Sequence, residues 1–393
     1  MIKLLLALLL YASPKGIHQG IEYDPKTTSV VSWYTDSTDV SVPAIEINGD
    51  TTYGYIVEAE ELGSSVYKHV IIEGLDPGTT YDACIVGGSE ISLNTFEEVQ
   101  DTVTFTIYGD QGLKNDASSI THATALATDA QMHFVVGDLT YANDSRFPGD
   151  PPTYGEWWWE TWDRWFDMSQ KLAMQKPMIC AMGNHEYAED WESGYEWQES
   201  ATKRLHQPGN KKYFLLRIPP VAILVLDSCR LESRNKITPY SIRQGQWLKE
   251  TLESLYIDEA IKWRVAMFHH PIYTPDPVRP GNAIIKKTVL PLMEDMDIDI
   301  IFTGHHHIYS RSYPIINDVP YIEKTNSYFD PTGIIHIITG GAGRGLGEAV
   351  DNINILKHAP IHHFMYVKIT NNKMIVRAID KLGNDVDYFE ISK

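Results

Sequence analysis

Residues 131–141 read Gln131-Met132-His133-Phe134-Val135-Val136-Gly137-Asp138-Leu139-Thr140-Tyr141, a mostly apolar run that breaks at a glycine into ligand-forming side chains. A short apolar run bounded by a turn signal is the pattern of a buried strand. The same texture recurs after residue 100. TVTFTIY leads into Gly109-Asp110, PMICAM into Gly183-Asn184-His185-Glu186, WRVAMF into His269-His270-Pro271, and DIIFT into Gly304-His305-His306-His307. VAILVLD and GIIHIIT are further strand-like runs, and helical stretches fall near 118–128, 156–174, 241–256 and 283–294. This alternation predicts an α/β domain. In such sheets ligands gather at the carboxyl ends of strands, so the five polar turns can meet at one site. A glycine precedes four of the five, which is expected to let the backbone turn sharply there.

The upstream region has a different texture. TTSVVSWYT and YKHVIIEGL are rich in β-branched and aromatic residues and are bounded by Asp, Gly and Pro. Leu75-Asp76-Pro77-Gly78-Thr79-Thr80-Tyr81 resembles the corner of a fibronectin type III or immunoglobulin-like sandwich, where a tyrosine hydroxyl ties back to the backbone. At roughly 150 residues per domain, 393 residues favour two domains. They are read as a β-sandwich over 18–100 and an α/β domain over 101–393. The opening MIKLLLALLLYASPKG has the layout of a secretory signal peptide, assigned to residues 1–13, and is too short to span a bilayer. No later segment is long and apolar enough to do so. Asn143-Asp144-Ser145 is an N-glycosylation sequon, with Asn143 the acceptor. Together these predict a secreted, lysosomal or vacuolar glycoprotein.

A chain with 43% hydrophobic and 22% charged residues is neither disordered nor fibrous. With 33 basic and 52 acidic residues the net charge is −19, which repels duplex nucleic acid. A phosphate substrate is still admissible if a local cationic centre reverses the field. Cys84, Cys180 and Cys229 are too few for a disulfide scaffold, and none belongs to a CxxC pair.

The side chains at the five turns comprise two Asp, one Asn, one Tyr and at least three His. Such oxygen and imidazole donors suit iron, zinc or manganese. They are too many for one ion and enough for two, provided a carboxylate bridges; Asp138 is the candidate bridge. Two ions about 3.5–4 Å apart form a clamp for phosphoryl displacement. A tyrosinate ligand favours a trivalent ion.

These blocks resemble those of the purple acid phosphatases, in the metallophosphoesterase superfamily, whose pattern reads GDxG, GDxxY, GNH(E/D), VxxH and GHxH. Here they stand as Gly109 to Gly112, Gly137 to Tyr141, Gly183 to Glu186, Ala266 to His269 and Gly304 to His307. The stretch ETWDRWFDMSQKLAMQKPMICAMGNHE is similar to the plant-type members in particular. The resemblance implies a four-layer αββα catalytic sandwich that hydrolyses phosphate monoesters by attack of a metal-activated hydroxide. Asp110, Asp138, Tyr141 and His307 would bind Fe(III). Asp138, Asn184, His269 and His305 would bind a divalent Zn, Mn or Fe ion. His185 would be the catalytic histidine, contacting substrate phosphate together with Asn184. His269 is preferred to His270, and His306 should point elsewhere. The resemblance further implies that a homodimer can form, as it often does in plant-type relatives.

Two positions depart from the family. Ala266 replaces a usual Val. Plant-type members also carry a histidine pair about nine or ten residues after the fourth-block ligand, where this sequence has Val278-Arg279. His270 and Arg279 are the candidates to stand in as proton donor.

Other features read as structural. Trp158, Trp162 and Trp165 recur at helical spacing as a packed face, with Trp157 and Trp159 off that stripe. The glycine-rich run Gly340 to Gly347 lacks a P-loop lysine and reads as a loop beside the site, in which Arg344 could touch phosphate. His122, His133, His206, His336, His358, His362 and His363 are expected to be structural or exposed. The competing readings are a phosphodiesterase or nucleotide pyrophosphatase on the same scaffold, and a secreted binding protein with an inactive metal domain.

Overall fold

The computed structural model describes residues 12–57, 63–113, 116–142, 159–187, 199–229 and 239–393. Most of the leader, the sequon residue Asn143, and Trp157 and Trp158 lie outside them. Among the described residues no helix is long and apolar enough to cross a membrane.

Two four-stranded sheets precede residue 100. One runs in the spatial order Lys15–Gly20, Ser29–Asp36, Ser65–Ile72, Tyr55–Val57; the other runs Asp50–Tyr53, Ala44–Ile47, Thr80–Ile85, Glu90–Asn94. All their pairings are antiparallel. Val31, Trp33, Ile45, Val70 and Leu93 share one buried core. The tyrosine corner forms as expected: the Tyr81 hydroxyl accepts from the Asp76 N–H at 2.7 Å.

The remainder is built on two seven-stranded sheets. The first runs Met178–Ala181, Met132–Val136, Val103–Tyr108, His363–Ile369, Lys373–Asp380, Asp385–Ser392, Ser327–Phe329. The second runs Phe214–Ile218, Val221–Val225, Trp263–Met267, Ile300–Thr303, Ile335–Thr339, Tyr309–Ser312, Ile355–Ala359. Strands Val103–Tyr108, Met132–Val136 and Trp263–Met267 are buried at every residue. That is why they read as continuous apolar runs: both their faces are covered. Phe105, Phe134, Val265, Phe302 and Val367 pack between the sheets. Helix Trp159–Ala173 covers the outer face of the first sheet through Trp162, Trp165 and Phe166. Helix Pro239–Tyr256 covers the second through Leu248, Leu252 and Leu255. These are the expected αββα layers.

The helix expected over 283–294 is two short ones, Ala283–Thr288 and Leu290–Asp295. Pro291 supplies no N–H to an earlier turn, so it is tolerated only in the first turn of a new helix.

Helix Trp159–Ala173 also joins the sandwich to the catalytic layers. Tyr34 donates to Asp167 at 2.9 Å and Tyr67 to Asp163 at 2.8 Å. The Arg204 guanidinium lies 5.2 Å from both the Tyr67 and Trp162 rings.

Of the histidines read as structural, several are buried and held neutral. Burial lowers His122 and His363 to about 4, and His133 and His336 to about 3. Among the described residues neither ring nitrogen of His336 has a hydrogen-bond partner. Its folded pKa lies below the unfolded value, so its neutral form is fully tolerated above pH 6.5. Below that pH the unfolded chain takes up a proton that the fold refuses, and stability falls towards the folded pKa. His336→Leu should therefore gain about 2 kcal/mol on wild type between pH 7.5 and pH 5. Urea midpoints at the two pH values measure this, and an unchanged difference would refute it.

Candidate metal centre

The five polar turns converge at the carboxyl ends of their strands, in two groups of donors. In the first, Asp110 Oδ1 lies 3.1 Å from the Tyr141 hydroxyl and 3.4 Å from His307 Nε2. Tyr141 and His307 are themselves 3.1 Å apart. In the second, Asn184 Oδ1 lies 2.9 Å from His305 Nδ1 and 3.1 Å from His269 Nε2. His269 Nε2 is also 3.2 Å from Asp138 Oδ2. Separations near 3 Å are those of adjacent ligands on one ion with bonds of about 2.1 Å.

The backbone settles which nitrogens face inward. His269 Nδ1 is 2.9 Å from the Val136 carbonyl, and His307 Nδ1 is 2.8 Å from that of Gly345. Each N–H is used there, so each Nε2 presents a lone pair to the site. While His269 is neutral, its Nε2 lone pair meets Asn184 Oδ1 and Asp138 Oδ2 with no hydrogen between them, so the group needs a proton or a cation there. Electrostatics record the same need. Burial works against protonating His269, but the Asp138 charge and hydrogen bond, with Asp110, raise its pKa to about 10. A field that retains a proton so strongly would retain a cation in its place. Burial, then His270 and His269, keep His305 neutral, the form that binds metals. On the other side, burial and the charges of Asp110 and Asp138 push the Tyr141 phenol well above its usual range. A phenolate there needs a nearby ion of high charge. Burial lowers His307, but the Asp110 hydrogen bond and charge raise it, and the Asp138 charge adds a smaller push, so Asp138 influences both groups. The residues present therefore fit a pair of cations.

His185 donates its backbone N–H to Asp138 Oδ1 at 2.9 Å, and its ring lies 4.1 Å from that of Tyr141. Its Nε2 is 3.9 Å from Asp138 Oδ2, at the edge of the donor groups. His270 turns to Ser228 Oγ at 3.0 Å, and His306 turns to Thr274 Oγ1 at 2.5 Å, so neither belongs to the donor sets. Arg344 lies with its guanidinium 3.9 Å from the centre of the Tyr141 ring.

The glycines have a different role from the one expected. The residues that turn with positive φ are mostly the donors: Asp110 (58°), Asp138 (54°), Tyr141 (58°) and His305 (68°). Such backbone costs of order 1–3 kcal/mol each and persists where the surroundings enforce it. Of the four glycines only Gly137 has positive φ. Elsewhere the glycine makes room: a Cβ on Gly183 would lie 2.2 Å from Asp138 Oδ1, and one on Gly304 would lie 2.5 Å from Asp110 Oδ2.

Sequence reading also gave Glu186 no role. It is fully buried and accepts from the N–H groups of Asp138, Leu139 and Gly183, each at 2.8 Å. One carboxylate therefore fastens the second block to the third. The available signal was a Glu three residues after a turn residue, the spacing of a capping box.

The sequence profile of the calcineurin-like phosphoesterases matches residues 105–309, just over half of the chain, and the chain belongs to that family. It is a metal-dependent phosphoesterase with a dinuclear centre. Purple acid phosphatase 18 of Arabidopsis thaliana is 26% identical over 363 residues, covering 86% of this chain and 72% of the relative. Phosphoenolpyruvate phosphatase of Allium cepa is 25% identical, covering 86% and 71%. Purple acid phosphatase from yellow lupin seeds superposes with a TM-score of 0.80 at 17% identity, over 97% of this chain and 74% of the other. The resemblance read from the five blocks is borne out.

Replacing Glu186 by Gln puts an NH₂ group against backbone N–H donors. Glu186→Gln should lower affinity for both ions about 10–100-fold with the fold retained. Metal content after dialysis against a weak chelator tests this, and wild-type occupancy would remove Glu186 from the role.

Proposed function

We propose that this chain is a purple-type acid phosphatase that hydrolyses phosphate monoesters at an Fe(III)–M(II) centre, with M being zinc, manganese or iron. The observation that carries the reading is the pairing of a phenol-containing donor group with an all-neutral-donor group on either side of Asp138. Asp110, Tyr141 and His307 would hold the trivalent ion. Asn184, His269 and His305 would hold the divalent one, with Asp138 shared. When bound, the two ions supply Lewis acidity, neutralising phosphoryl charge and making a water acidic enough to act below neutral pH.

The chain's own groups do the rest. Asn184 and His185 would contact the phosphoryl group. His270 is buried against Ser228, and Arg279 is directed to the His305 carbonyl. His185 is therefore the group assigned to protonate the leaving oxygen. The leader at 1–13 and the sequon at Asn143 support a secretory route and glycosylation; a homodimer is the assembly favoured by the family resemblance.

Hydrolysis of p-nitrophenyl phosphate and of its bis-aryl diester, followed against pH, tests the reading. A maximum on the acid side with the diester slower is expected; a faster diester would favour the phosphodiesterase reading. The metal assignment has its own check. Iron-loaded protein should show a visible phenolate-to-iron(III) absorption band, lost in Tyr141→Phe, and a band that survives the substitution would exclude Tyr141 as the ligand.

A further inference from the structure

Arg279 stands out on the rim of the centre. It lies in the turn Pro275-Asp276-Pro277-Val278-Arg279-Pro280, which three prolines stiffen. Asp276 Oδ1 accepts from the Val278 and Arg279 N–H groups at 2.8 and 2.9 Å, and the Asp276 N–H donates to Thr274 Oγ1 at 3.0 Å. That same Thr274 hydroxyl meets His306, the residue between two metal donors. A second loop braces the turn: the Val350 N–H donates to the Pro275 carbonyl at 2.8 Å, and Asn352 Nδ2 to the Thr274 carbonyl at 2.8 Å.

From this fixed base the exposed Arg279 side chain reaches back, and Nη1 donates to the His305 carbonyl at 3.3 Å. It forms no ion pair among the described residues, although acidic residues outnumber basic ones in the chain by 52 to 33. Among the described residues one of its five N–H donors is used, and weakly. A solvent-facing guanidinium beside a metal-donor residue, without a carboxylate partner, is arranged to meet an anion that arrives from outside.

We propose that Arg279 is a substrate-binding residue that recognises the third terminal oxygen of a phosphate monoester and so sets the preference for monoesters over diesters. The inference rests on the phosphoesterase reading of the centre. A monoester has three terminal oxygens and a diester two. With two oxygens directed to the donor groups, only a monoester has another to offer a guanidinium at the rim. The planar fork of Arg suits two oxygens of one phosphoryl group or one oxygen and a water.

The test compares Arg279→Gln and Arg279→Lys with wild type, all carrying two ions per chain. It measures kcat and KM for p-nitrophenyl phosphate and its bis-aryl diester, and the dissociation constant of inorganic phosphate by calorimetry. In Arg279→Gln the monoester-to-diester ratio of kcat/KM should fall about 10–100-fold, the loss of one charge-assisted hydrogen bond. Most of the fall should appear as a higher KM, and phosphate binding should weaken by a similar factor. Lys should recover part of both. Equal losses for the two substrates, or a failure of the variants to hold two ions per chain, would mean that Arg279 only supports the His305 loop, and would overturn the proposal. So would an unchanged ratio with unchanged phosphate affinity. If two-ion wild type binds phosphate yet hydrolyses neither ester, the phosphatase reading fails first and the selectivity proposal falls with it.

Discussion

The structure turns on one electrostatic constraint: a buried carboxylate, Asp138, lies 3.2 Å from His269 Nε2, whose other ring nitrogen is already engaged by the Val136 carbonyl. Burial opposes its charge, yet His269 and His185 hold it ionised. Rigid strands hold these donors together, so a cation entering the site meets them already assembled. The left-handed backbone at Asp110, Asp138, Tyr141 and His305 belongs to the same account, since strain of this kind survives only where neighbouring structure leaves no alternative.

Those neighbours can be named. The first two blocks extend the strand pairing beyond the sheet: the N–H groups of Asp110, Gln111 and Gly112 donate to the carbonyls of Gly137, Asp138 and Leu139. Glu186 adds the third block. Trp165 Nε1 donates to Gln111 Oε1 at 2.8 Å, connecting helix Trp159–Ala173 to the first block. That helix packs on the β-sandwich through Tyr34 and Tyr67. The sandwich therefore contributes to the centre at one remove, by fixing the helix that steadies Gln111.

Much of this was legible in order and not in geometry. The strands could be read because burial on both faces produces uninterrupted apolar runs, and the tyrosine corner because its turn residues are local. The helical face of Trp162 and Trp165 could be read as packed, but not that Trp165 would reserve its N–H for the metal-bearing loop. Pro291 was visible in the sequence, while its division of one helix into two depended on where Val289 left the helical path. Glu186 was concealed by its type: a carboxylate in a polar motif looks like another ligand, and only its three backbone donors show it to be a clasp.

What the sequence by itself determined was the chemistry: donor types and their attachment to strand ends, enough donors for two ions, with the αββα frame and the phosphoesterase reading implied by the resemblance of the five blocks to a known family. Those facts are carried by residue identity and spacing along one strand at a time. Tertiary structure alone decided which nitrogen of each histidine faces the ions, which residues carry the backbone strain, and where Arg279 points. Each of these depends on hydrogen bonds between segments far apart in the chain, such as His269 with Val136 and His307 with Gly345. Side-chain direction is set by such cross-chain contacts, and a linear pattern contains residue types but not the partners that orient them.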